Sequence, residues 1–161
     1  MKKRLNVGWF SFTCCEDSTI MFTEMLNEHY QEWFEILNFK HIKILQSKNT
    51  LKGIDVAFVE GAITSKEKIK EIKEIRKNCK VLVAIGSCAV QGMPSAQRNF
   101  FDKKTKDEIS FILQRFKHTD KVYALKDIVK VDYEVPGCPM EEDKFLEVLN
   151  KCLKEFKVAQ I

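Results

Sequence analysis

Apolar positions along the chain fall into two patterns, short continuous runs and recurrences every three to four residues, with turn residues where one gives way to the other. Leu5 to Phe12 is an apolar run interrupted by Gly8, and it stops at Thr13-Cys14-Cys15. From Asp17-Ser18 onward, Phe22, Met25, Leu26, His29, Trp33, Phe34 and Leu37 have the spacing of one face of a long helix. His41 to Leu45 reads as a short strand, and Ile54 to Val59, led in by Gly53, as another. Thr64 with Glu67 forms a capping-box pattern ahead of a helix that carries Ile69, Ile72 and Ile75 among Lys and Glu. Val81 to Ile85 is a continuous apolar strand that ends at Gly86-Ser87-Cys88. Small and polar residues from Gly92 lead to a second capping box, Thr105 with Glu108, and a helix through Phe116. Lys121 to Leu125 reads as the last core strand. After Pro136-Gly137-Cys138-Pro139, a final helix carries Phe145, Val148, Leu149, Cys152 and Phe156 on one face.

Strands alternating with helices imply right-handed crossovers and a mostly parallel sheet covered on both faces, and nearly all-apolar strands suit that burial. No repeat, low-complexity segment or linker interrupts the chain. Residues 1–161 therefore read as one α/β domain, its doubly wound sheet resembling the flavodoxin-like type.

Composition narrows the function classes. The chain has 161 residues, 45% apolar and 31% charged, which is a globular composition with material for a core. Its 27 Lys and Arg against 23 Asp and Glu leave +4, with the signs interleaved, so nucleic-acid binding is disfavoured. No apolar stretch approaches the roughly 18 residues of a direct membrane span. The start, Met1-Lys2-Lys3-Arg4, is basic but lacks a long apolar segment and a cleavage site, so a cytoplasmic location is expected. In that compartment six cysteines stay reduced, and metal or redox chemistry becomes the question.

Four of the six fall where such a sheet does chemistry. Cys14 and Cys15 follow the first strand, Cys88 follows the Val81–Ile85 strand, and Cys138 lies in the loop before the last helix. Ligands of open α/β sheets bind at the carboxyl ends of the strands. Three converging loops would bring four thiols together there, the ligand set of an iron–sulfur cluster or a structural zinc. Zinc usually draws on closely spaced ligand pairs, so thiols from separate loops favour the cluster without excluding zinc. Gly86 and Gly137 would let backbone approach an inorganic core. Pro139 suits the first position of the final helix, which would place Cys138 at its positive end. Cys152, on an apolar helix face, and Cys79, at a helix end, read as structural. His29, His41 and His118 lie on or beside regular elements, and Lys66 to Lys80 reads as a solvated helix face.

Three motifs together are specific: Val59-Glu60-Gly61-Ala62-Ile63, Gly86-Ser87-Cys88-Ala89-Val90-Gln91-Gly92-Met93-Pro94 and Val135-Pro136-Gly137-Cys138-Pro139. They resemble, in order and over nearly the whole chain, signatures of nickel–iron hydrogenase small subunits; the 20-kDa-type subunit of respiratory complex I is similar. The resemblance implies an electron-transfer, non-catalytic subunit of an oxidoreductase. It further implies one proximal 4Fe–4S cluster on Cys14, Cys15, Cys88 and Cys138, beside a large nickel–iron subunit. Further iron–sulfur or flavin electron-transfer subunits would complete the assembly. Ser95-Ala96-Gln97-Arg98-Asn99 is most similar to the cytoplasmic hydrogenases.

The first loop departs from the hydrogenase pattern. Many of those subunits carry Cys-x-x-Cys followed by Glu; here Cys15-Glu16 matches the second half, while Phe12 stands at the first position. Cys14 instead makes a tandem pair with Cys15, as in the complex I relative. No further cysteine-rich segment follows Cys138, so electrons would leave through another subunit. Glu16 is a candidate electrostatic or proton-relay group, or a cap of the first helix. Glu60 would accept backbone amides around the strand-end loop or face the partner. Two other readings stay open: a complex-I-like subunit relaying electrons to quinone, and a cluster-free flavodoxin-like module holding flavin or zinc. Glu16 and Asp17 after the first strand would repel a flavin phosphate. Trp9, Phe10, Phe12, Met93, Phe100 and Phe101 flank these loops as either core or docking surface.

Overall fold

The structure, a computed structural model, describes residues 3–158, so Met1 and Lys2 of the basic start lie outside the described residues. Along the chain run β1 (Leu5–Ser11), α1 (Asp17–Glu28), α2 (Tyr30–Ile36), β2 (Leu37–Ile42), β3 (Ile54–Glu60), β4 (Ile63–Ser65) and α3 (Lys66–Asn78). There follow β5 (Cys79–Ile85), α4 (Gly86–Gln91), a 3-10 turn (Ser95–Phe100), α5 (Lys103–Arg115), β6 (His118–Tyr123), a second 3-10 turn (Leu125–Asp127), β7 (Tyr133–Val135) and α6 (Glu142–Glu155).

The apolar runs become the centre of a five-stranded parallel sheet ordered β2-β1-β3-β5-β7. This is the strand order of the flavodoxin-like, doubly wound architecture. Every residue of β3 is buried, and in β5 only Lys80 is exposed, as expected of strands covered on both faces. Successive side chains point to opposite faces, so neighbouring residues feed different core layers. Trp9 and Phe58 join Phe22, Trp33, Phe145 and Leu149 on one side. Phe10 and Val59 join Ile72, Ile75, Leu82 and Leu125 on the other.

Several elements differ from the sequence expectation. The long first helix breaks at His29, which separates α1 from α2 and turns Trp33, fully buried, onto Phe22 and Phe145. The second strand occupies Leu37–Ile42 instead of His41–Leu45, because Leu37 already pairs with Leu5. The strand expected at Lys121–Leu125 is not in the main sheet. It is β6, paired antiparallel with β4 in a separate ribbon, and β7 takes the place beside β5. The Asp132 side chain and backbone both bond Leu82, which steers the chain onto that edge. α3 and α5 are capped by Ser65 and Asp102, not by Thr64 and Thr105. α6 begins at Glu142, beyond Pro139, so Cys138 sits in a turn closed by a Gly137–Met140 bridge and not at a helix end. Among the described residues, no helix is long and apolar enough to cross a membrane.

Candidate metal centre

The first thiol loop is built by β1 running past the end of β3. Phe12 N–H donates to Glu60 O at 2.8 Å, and Thr13 pairs with Ala62 in a two-bond bridge. Gly61 has φ +93°, and a Cβ there would sit 2.8 Å from the Phe12 carbonyl carbon and the Thr13 nitrogen, so only glycine lets the two segments touch. The Thr13 hydroxyl lies 2.8 Å from that of Thr64 and accepts from Lys68 Nζ at 2.8 Å. This leaves Cys14 half-buried and Cys15 exposed. Glu16, with φ 67°, then turns the chain into α1.

The second loop passes through Gly86 (φ +77°), where a Cβ would lie 3.0 Å from Ser18 Oγ. Cys88 is buried in α4 with Ala62, Ala96 and Val122, and Cys14 and Met93 pack against that group. The third loop turns at Gly137 (φ +109°), where a Cβ would run into the Pro139 carbonyl and sit 2.9 Å from Glu141 N. The Gly137 carbonyl accepts both Ser87 N–H (2.7 Å) and Ser87 Oγ–H (3.0 Å), which ties the Cys138 turn to the Cys88 loop. Met140 N–H donates to Ser18 Oγ at 3.2 Å, which ties the same turn to α1. Ser18 N–H in turn donates to Glu60 Oε1 at 3.1 Å, and Thr19 Oγ1–H to Glu60 Oε2. Three loops distant in sequence are thus joined by Ser18, Ser87 and Glu60.

All four thiols act electrostatically on Cys88 or through it: Cys15 and Cys138 on Cys88, and Cys88 on Cys14. Burial, then the Glu60 charge, pushes the Cys14 thiol up to about 12. Burial also raises Cys88, against a hydrogen bond from Ser95. For Cys15 the Asp17 N–H pulls downward, but burial and the Asp17 carboxylate together outweigh it. The free chain therefore keeps these sulfurs protonated, and a metal would displace the protons on binding. These four side chains are the residues that could hold a metal centre. Among the described residues, no three His, Cys, Asp or Glu side chains are drawn together around one ion position. A donor set of four thiols on a shared rim, more spread than a single ion takes, suits a multi-iron centre, which uses one thiolate per iron.

The remaining sequence candidates sort clearly. Glu16 is exposed and its side chain makes no cap bond; Glu60, from β3, supplies the acceptor at the start of α1. Cys152 is fully buried, and burial pushes its thiol up to about 12. Cys79 is buried and accepts from Arg76 Nη1 at 3.2 Å. His41 Nδ1 meets the Trp9 carbonyl and His118 Nδ1 that of Thr64, both at 3.2 Å, while His29 stacks on Trp33. Trp9, Phe10 and Phe12 are core, Met93 is half-buried, and Phe100 and Phe101 are exposed, Phe100 by 77%. Ser18, Ser87 and Lys68 carry no sequence signal for the roles they take; only their distant partners reveal them.

Residues 14–152 match the family described as NADH ubiquinone oxidoreductase, 20 Kd subunit. The chain belongs to this family. Among curated relatives of this family member, the NAD-reducing hydrogenase HoxS subunit delta of Cupriavidus necator is 28% identical over 163 residues, covering 91% of this chain and 78% of the relative. An uncharacterized protein of Methanocaldococcus jannaschii is 37% identical over 122 residues, covering 73% of this chain and 50% of the relative. The sulfhydrogenase 2 subunit delta of Pyrococcus furiosus is 26% identical over 152 residues, covering 90% and 60%. The chain thus spans only 50% and 60% of the length of the latter two. The fold is shared with a chain of an NAD+-reducing [NiFe]-hydrogenase in the H2-reduced state (TM-score 0.78, 22% identity, 94% of this chain and 92% of that one). It is shared also with a chain of the Dm. baculatum [NiFeSe]-hydrogenase (TM-score 0.70, 13% identity, 96% and 63%).

Proposed function

We propose that this chain is the electron-transfer small subunit of a multi-subunit nickel–iron hydrogenase, with Cys14, Cys15, Cys88 and Cys138 holding one proximal 4Fe–4S cluster. The observation that carries this reading is the hydrogen-bonded junction of the three strand-end loops, which puts four free thiols on one rim. The hydrogenase subunits among its relatives support the reading. When bound, such a cluster supplies one-electron redox chemistry.

The chain's own residues supply position and environment. Ser87 and Ser18 hold the Cys138 turn against the other two loops, and Gly61 and Gly137 permit the close backbone approach. Buried Cys88 and half-buried Cys14 form the shielded inner side of the site. Exposed Cys15 and Cys138 form its outer side, where a large nickel–iron subunit would dock. A cytoplasmic location, action as one domain, and iron–sulfur or flavin partners downstream belong to the same proposal.

A second reading, a complex-I-like subunit relaying electrons to quinone, is favoured by the tandem Cys14-Cys15 and by the family's description. The co-purifying large chain separates the two: two Cys-x-x-Cys pairs mean a hydrogenase, and their absence means the quinone type. Anaerobic purification should give a brown protein with about four iron and four sulfide per chain. Cys88→Ala or Cys138→Ala should abolish the iron, and Cys152→Ala should leave it intact. Full iron in Cys88→Ala would refute the assignment.

A further inference from the structure

Glu60 is a buried carboxylate beside the thiol rim, 3% exposed at the end of β3. Its two oxygens receive only donors, Ser18 N–H and the Thr19 hydroxyl, which is the setting of an ionised group. Among the described residues, no Lys, Arg or His lies within ion-pair distance of it. Its compensation comes from the amide-rich start of α1, which stabilises the charge without cancelling it. Of the charges acting on the Cys14 sulfur, Glu60 is the strongest, ahead of Cys88 and the exposed Glu16. A charge held in this low-dielectric interior escapes most of the screening that salt gives a surface carboxylate.

We propose that Glu60 is a positioning residue that holds the reduction potential of the four-cysteine centre low, through a fixed negative charge set against its Cys14 side. The inference rests on the proposed cluster. The step it opposes is the gain of one electron, supplied in the test by a chemical reductant, with no bond made or broken. Each added electron increases the negative charge of the centre, so a buried anion nearby raises the free energy of the reduced form.

The test is a redox titration of the anaerobically purified full chain with dithionite, followed by EPR and visible absorbance. Glu60→Gln should keep the iron and raise the reduced-to-oxidised ratio at fixed potential about tenfold, equivalent to about 59 mV for one electron. Glu16→Gln, at an exposed carboxylate, should move it less. Thr19→Val removes a donor that tempers the carboxylate, so its potential should fall. Glu60→Gln with full iron and an unmoved or lower potential overturns the proposal. So does loss of iron in Glu60→Gln combined with an unchanged potential in Thr19→Val, since Glu60 is then only a cap for α1. A wild-type chain without iron overturns instead the cluster reading on which the inference rests.

Discussion

Two glycines with positive φ respond differently to a methyl group, and the difference locates the functional turn. At Gly53 (φ +78°) a Cβ meets nothing within 4 Å, so Gly53→Ala should cost only the backbone strain, about 1 kcal/mol. At Gly137 the same strain adds to a collision with the Pro139 carbonyl and close approach to Glu141 N. Gly137→Ala should therefore destabilise more in chemical denaturation and also lower the iron content, whereas Gly53→Ala should leave iron unchanged. Thiol exposure gives a second check. In the metal-free chain iodoacetamide should label Cys15 and Cys138 readily and Cys152 only after unfolding, because Cys152 is buried and held protonated. The four candidate thiols were legible in the sequence from residue type and their place after strand-like runs. Ser18 and Ser87 were not, because a serine beside a helix start carries the same local signal whatever it bonds.

Among elements, periodicity predicted too much continuity in α1 and too central a place for β6. The apolar spacing runs unbroken through His29, yet the chain turns there so that Trp33 can fill the space between Phe22 and Phe145. Trp33→Ala should cost about 3–5 kcal/mol in urea unfolding, because a fully buried indole leaves a large cavity. β6 has one buried residue, Val122, and that residue is held by both ends of the Asn99 amide at 2.8 Å. Asn99→Ala should cost about 1–3 kcal/mol and speed amide exchange at Val122, leaving β1, β3 and β5 protected. Apolar character at Lys121–Leu125 revealed a strand but not its partner, since a short strand in a side ribbon and one at a sheet edge share the same composition.

Over the whole molecule, two carboxylates knit the sheet through contacts that no local pattern announces. Asp55 of β3 accepts from Asn6 of β1 and pairs with Lys80 of β5 at 2.7 Å. Asp132 accepts Leu82 N–H and lies within ion-pair distance of Arg76 and Lys130. Burial pulls both carboxyls up, but for Asp55 the Lys80 and Asn6 bonds, and for Asp132 the Leu82 and Lys130 bonds with Arg76, outweigh it and hold both low. A folded pKa below the unfolded value of about 3.9 gives stability that is fully present above that value. It is lost as pH falls through the lower folded value. Asp132→Asn should thus melt below wild type at pH 7, and the gap in Tm should close progressively in acid below pH ~4. The sequence by itself determined the alternation of strands and helices, the parallel doubly wound class and the thiols at strand ends, because periodicity and residue type are local properties. Tertiary structure alone decided which strand closes the sheet, where α1 breaks, and that Glu60 and Ser18 join the thiol loops. A backbone N–H, a hydroxyl or a carboxylate looks the same along the chain until folding selects its distant partner.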